Sequence, residues 1–138
     1  MALNDIKIRK FNKKEAEFLY RMVQDSIDIS YRGAYPPAAV DYFKEYHSIE
    51  VMLNEASLGY TMIADCNGEI LGTGTLFGTN VRRVYVNPLH QYKGIGKLIV
   101  VALERRALGQ MIASLDLEAS LVSRRFWESC GFQVESEN

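Results

Sequence analysis

Residues 81–109, VRRVYVNPLHQYKGIGKLIVVALERRALG, decide the reading of this chain: a β-branched, aromatic run meets a glycine turn that opens directly into an amphipathic helix. Residues 81–86 favour extended backbone, and Asn87-Pro88 ends them, because proline has no N–H for a ladder and biases its predecessor to extended geometry. Beyond the stop, Ile95, Leu98, Ile99, Ala102 and Leu103 recur at the i, i+3, i+4, i+7, i+8 spacing of one helix face. Gly109 marks the C-terminal stop, with Arg105 and Arg106 in the last turn, where the dipole favours cations.

The helix start suits an anion. Its first four N–H groups lack intrahelical partners and carry roughly half a positive charge. Gly94 and Gly96 lack the Cβ atoms that would hold a phosphate away from the backbone, and Lys93 and Lys97 add cationic charge. The same glycines equally suit an ordinary strand-to-helix turn, and a Gly-x-Gly by itself does not separate the two readings. Two nucleotide loops fail on spacing. The dinucleotide fingerprint wants a third glycine where Ile99 stands, and the chain has no Gly-x-x-x-x-Gly-Lys-Ser/Thr run. Gly72-Thr73-Gly74 fails likewise, with Phe77 in the third position.

What the run does satisfy is Gln-x-x-Gly-x-Gly, read as Gln91-Tyr92-Lys93-Gly94-Ile95-Gly96, after a strand that ends Tyr85-Val86-Asn87-Pro88. In this it resembles the acetyl-CoA signature of the GCN5-related N-acetyltransferase (GNAT) family. Residues 119–132, ASLVSRRFWESCGF, are similar to the family's penultimate segment, a helix ending in an aromatic pair, Phe126-Trp127, then three spacers and Gly131-Phe132. The resemblance covers nearly the whole chain and is thinnest over residues 1–60. It implies an α/β GNAT-like fold: one domain over residues 1–138, with a central mixed sheet of about six strands flanked by helices. After Gly131-Phe132 at most one strand remains where the family has two. A sheet edge exposed in that way is covered by a partner subunit in a homodimer, is tolerated, or marks a truncated form.

The rest of the chain falls in the same order. Ile6 and Ile8 alternate with charged residues in a short strand over residues 6–9, and Asn12 caps a helix running to about residue 26. Residues 30–37 form a loop, followed by helical pieces at 38–46 and 48–56. Residues 60–65 and 69–76 make a hairpin around Cys66-Asn67-Gly68, since Asn-Gly supplies the positive φ angles of a tight turn. A strand is expected at about 111–117 and a helix at about 120–130.

Composition narrows the function classes. With 138 residues the chain makes one domain whose core needs no staples. A net charge of −1 gives no general pull toward nucleic acid or an anionic membrane. The pairs Arg82-Arg83 and Arg124-Arg125 are too short for a nucleic-acid tract and read as surface charges or local contacts to an acidic ligand. Two cysteines, Cys66 and Cys130, give neither a disulfide framework nor, with His47 and His90, a metal-ligand spacing. Free thiols, no signal-peptide core and no run approaching the ~20 apolar residues of a membrane span lead to a cytoplasmic protein as the expectation.

The resemblance also implies residue roles. Acetyl-CoA is the co-substrate, and an amine of a small molecule or peptide attacks its thioester directly. The pantetheine arm lies along the strand matching Val84, Tyr85 and Val86, and the pyrophosphate on Gln91, Tyr92, Lys93, Gly94, Ile95, Gly96 and Lys97. The backbone N–H near Val86 stands where it can stabilise the oxyanion. Ser123 matches a helix position often filled by asparagine against the CoA arm; alternatively it is a solvated serine. Trp127 replaces the tyrosine that many members use to protonate the leaving thiolate, and indole is no acid near neutral pH; it is also explained by packing. Glu118 is a candidate base or a solvated capping carboxylate. Tyr31 and Tyr85 are further catalytic candidates, and Tyr31 with Tyr35 lies in the region that lines the family's acceptor site. A second function class stays open: a non-catalytic acyl-CoA-binding or regulatory domain that kept the cofactor loop.

Overall fold

Two glycine-turned hairpins and one long return build the sheet. The structure, a computed structural model, describes residues 3–91 and 93–135. Strands β1 (Lys7–Lys10), β2 (Tyr60–Cys66), β3 (Glu69–Phe77) and β4 (Asn80–Val86) lie antiparallel in chain order. Cys66 pairs with Glu69, so Asn67-Gly68 is a two-residue loop, and φ angles of 53° and 90° make it the type I′ turn that Asn-Gly favours. Gly78, at φ 62°, opens the second tight turn between Phe77 and Asn80.

Helices α1 (Ala16–Tyr31), α2 (Pro37–Tyr46) and α3 (Ile49–Leu58) fill the connection from β1 to β2. Asn12 caps the short 3-10 turn that leads into α1, in a capping box with Glu15. Strand alternation sorts the core into two layers. Ile63 and Ile70 pack with Leu19, Met22 and Met52 on the α1/α3 side. Met62, Ala64 and Leu71 face the opposite way, against Ile95, Ile99 and Leu103 of α4 (Ile95–Gly109). Gly72 and Gly74 let α4 lie that close. A Cβ on Gly72 would stand 2.8 Å from Ile99 Cδ1, and one on Gly74 2.7 Å from Ile99 Cγ2. The glycine pair that fails as a nucleotide loop is thus a helix-docking surface.

Helix α5 (Arg124–Ser129) ends in a Schellman cap. The Phe132 N–H donates to Trp127 O and the Gly131 N–H to Glu128 O, with Gly131 at φ 94°. The Phe132 and Trp127 rings meet edge to face at 5.4 Å. The spacing of the aromatic pair from Gly-Phe is therefore the geometry of a helix stop with its hydrophobic clasp.

Three expectations need correction. Among the described residues the sheet has four antiparallel strands, not about six in a mixed sheet. Residues 111–117 form no strand; they touch β4 at a single parallel bridge, Asn80 with Asp116. Pairing stops there because β4 bulges: the register shifts between Thr73 and Thr75, and Arg83 sits at φ 53°. The last helix is also shorter than 120–130, since Ser120 and Ser123 bond to each other in a turn that precedes it. No helix among the described residues is long and apolar enough to cross a membrane.

Candidate active site

The site begins at the outer edge of β4. The Val81 N–H donates to Asp116 O at 2.9 Å and the Asp116 N–H to Thr79 O at 3.0 Å, pinning the two segments at one point. Further along, the Asn87 N–H donates inward to Leu71 O at 2.8 Å. Because backbone groups alternate sides along a strand, the preceding Val86 N–H faces outward from the sheet. Between these points β4 and residues 118–123 diverge around a cavity of about 370 Å³.

Tyrosines form much of its wall. The Tyr31 and Tyr85 hydroxyls lie 3.3 Å apart, and Tyr35 Oη accepts from the Leu121 N–H at 2.7 Å, tying the α1–α2 loop to the far wall. Burial, with the Tyr31 hydroxyl beside it, pushes the Tyr85 phenol well above the usual range. Tyr85 therefore stays protonated at neutral pH, with a hydroxyl that can donate or accept a hydrogen bond. Tyr31 is the last residue of α1, which runs five residues beyond the expected end.

Behind the tyrosines lies a buried polar cluster that sequence reasoning missed. Across the β4 bulge, Arg83 and Val84 together oppose Gly74, which turns the Arg83 side chain inward until it is 2% exposed. Its Nε donates to His47 Nδ1 at 2.9 Å and its Nη2 to Glu55 Oε1 at 2.7 Å. Arg82 Nη1 donates to the other Glu55 oxygen at 2.8 Å. Burial, reinforced by the Arg83 charge, lowers the His47 pKa to about 3, so the ring is a neutral acceptor. Arg83 is thus a buried group and not a surface charge, although an arginine inside a β-branched run was the one local sign of it.

The structure brings Glu118, Ser123, Trp127, Tyr31, Val84 and Tyr85 to the cavity wall. Glu118 is exposed there. The Ser123 hydroxyl is held by Ser120, with the two oxygens 2.8 Å apart, at the start of α5 and not within it. Trp127 is buried in the core and stacked edge to face on Phe126 and Phe132, as its packing reading requires.

The glycine turn stands at the other end of β4. Gly94 is the α4 N-cap at φ 84°, a left-handed backbone that favours glycine. The first α4 bond runs from the Leu98 N–H to Gly94 O, so the N–H groups of Ile95, Gly96 and Lys97 precede the ladder and can serve an anion. Lys93 and Lys97 are exposed around them, whereas the Ile95 side chain is buried and offers only its backbone. The space in front of Gly96 is taken by the Phe126 ring, 3.0 Å from where a Cβ would stand. Its missing side chain therefore serves α5 docking. Gln91 is half-buried in the turn, and Tyr92 lies outside the described residues.

Known proteins share this fold. No curated protein matches the chain significantly. Among solved structures, a GCN5-related N-acetyltransferase from Rhodopseudomonas palustris superimposes with a TM-score of 0.89 at 20% identity, over 96% of this chain and 84% of that one. The PaiA N-acetyltransferase of Thermoplasma acidophilum, solved with coenzyme A, gives 0.82 at 23% identity, over 96% and 92%. A predicted acetyltransferase of Clostridium acetobutylicum, solved with acetyl-CoA, gives 0.68 at 20%, over 96% and 92%. The model of the acetyltransferase (GNAT) family matches residues 20–132, from α1 through the Schellman cap, and the chain belongs to that family.

Proposed function

We propose that the chain transfers an acetyl group from acetyl-CoA to an amine of a small molecule or peptide, by direct attack of the amine on the thioester. One observation carries this reading: the outward edge of β4 borders the cavity, and the chain runs from the end of β4 through a short 3-10 turn at Pro88–His90 to the α4 N-terminus. An extended pantetheine arm fits that edge as an added strand along Val84, Tyr85 and Val86. Its pyrophosphate fits the turn of Gln91, Tyr92, Lys93, Gly94, Ile95, Gly96 and Lys97. The coenzyme A and acetyl-CoA held by two structural relatives support the same co-substrate here.

An alkyl amine with a pKa near ~10.4 arrives charged and must lose a proton before it attacks. Glu118, exposed on the cavity wall, takes that proton directly or through water. The Val86 N–H meets the oxyanion that develops on the thioester carbonyl. Tyr85 and Tyr31 orient the amine through their hydroxyls. Because Trp127 is no acid, coenzyme A leaves as a thiolate, which a pKa near ~8.5 permits. Ser123 and Trp127 form the wall beside the arm. In this reading residues 1–138 act as one cytoplasmic domain, with a homodimer as the way to cover an open edge.

An amine panel with acetyl-CoA, read by thiol detection of released coenzyme A, tests the proposal. Turnover of at least one amine is expected. Coenzyme A binding with no turnover of any amine would leave a non-catalytic acyl-CoA-binding domain instead.

A further inference from the structure

The Arg83 guanidinium has more donors than the fold uses. Nε and Nη2 are satisfied by His47 and Glu55, while Nη1 is buried without a hydrogen-bond partner. A buried donor left unpaired is costly, and native structures seldom keep one without a purpose. Arg83 lines the cavity. The charged residues of that wall are two guanidiniums, Arg82 and Arg83, and one exposed carboxylate, Glu118. Glu55, behind the wall, is shared between both arginines, and the neutral His47 ring adds no charge. Asp116 lies near Arg82 but is held on the surface by Asn80 and Thr79. The wall at Arg83 therefore keeps a positive charge, with one buried guanidinium donor unpaired.

We propose that Arg83 is the anion-recognising residue of the acceptor cavity, its Nη1 binding the carboxylate or phosphate of an acceptor that carries its amine on the same molecule. This deepens the acetyltransferase reading and rests on it for the amine. The chemistry shared by the two anions is an oxygen acceptor for one guanidinium nitrogen; Nε and Nη2 each have a protein partner, so the contact is made through Nη1. The bulge at Arg83 serves the same end, since its positive φ is what points a β4 arginine into the interior.

Matched amines test this. The full chain is assayed with acetyl-CoA on hexylamine against 6-aminohexanoate, and on propylamine against 3-aminopropyl phosphate. The anionic member of at least one pair is expected to show a KM about 10-fold to 100-fold lower, the range of one charge-assisted hydrogen bond. The better anion separates carboxylate from phosphate. Arg83→Met is expected to erase the advantage in KM. Should that variant fail to fold, Arg83→Met with Glu55→Gln removes both buried charges together, which proteins tolerate far better than one alone. Equal KM values within both pairs, or an advantage that survives the variants, overturn the proposal. If no amine turns over, the transferase reading fails by itself, and calorimetry of 6-aminohexanoate and 3-aminopropyl phosphate on the coenzyme A complex decides the subsite. Binding of either that is lost in the variant supports it, and binding of neither overturns it.

Discussion

The Phe126 ring lies across Gly96 so closely that a Cβ there would stand 3.0 Å from two ring carbons, which pins α5 to the first turn of α4. A Gly96→Ala substitution gains helix propensity of at most about 1 kcal/mol but must push the ring aside. A fall in thermal midpoint is expected in the native background and a rise in a Phe126→Leu background. Identical signs in the two backgrounds would disprove the contact.

Gly94 faces a different constraint, its left-handed φ of 84°. Asparagine tolerates that conformation, so Gly94→Asn should fold and still bind coenzyme A. Gly94→Glu adds a carboxylate beside the expected pyrophosphate and should weaken binding by about tenfold or more. Calorimetry on both variants checks this; equal affinity in a folded Gly94→Glu protein would remove the phosphate assignment of the turn.

Gly74 tests how α4 sits on the sheet. Its alanine variant would place a Cβ 2.7 Å from Ile99 Cγ2 and 3.0 Å from Leu103 Cδ1, both core atoms. A loss of about 1–3 kcal/mol is expected in denaturant unfolding. In combination with Ile99→Ala the two losses should fall short of additive by at least about 0.5 kcal/mol.

His47 should make the protein acid-sensitive. Its pKa falls from 6.5 to about 3 on folding, through burial first and the Arg83 charge second. Below pH 6.5 the unfolded chain binds a proton that the folded chain refuses. The stabilisation is therefore complete above 6.5 and is lost as pH falls from there toward 3. About 2 kcal/mol should disappear between pH 6.5 and 5. Chemical unfolding as a function of pH, compared with His47→Gln, measures it. A variant with an unchanged pH slope would place the proton uptake elsewhere.

The features legible in the sequence were those set by near neighbours. The Asn67-Gly68 turn and the Asn12 cap each depend on a few adjacent backbone angles, and each formed as expected. Residues 111–117 show the limit. Ile112, Leu115 and Leu117 do reach the core, yet no ladder forms, because strand pairing depends on the partner's edge and that edge bends at Arg83. The buried cluster was hidden for a related reason. Arg83 meets Glu55 across 28 residues and His47 across 36, and in a linear reading an arginine looks solvated until its partners are known.

The outward edge of β4 also bears on how the protein keeps in solution. An unprotected strand edge is a template for any extended chain, including another copy of the same protein. A co-substrate arm laid along that edge would occupy the same backbone groups that intermolecular pairing needs. Substrate binding and protection from aggregation would then be a single event, and the chain would be safest from its own kind while loaded for work.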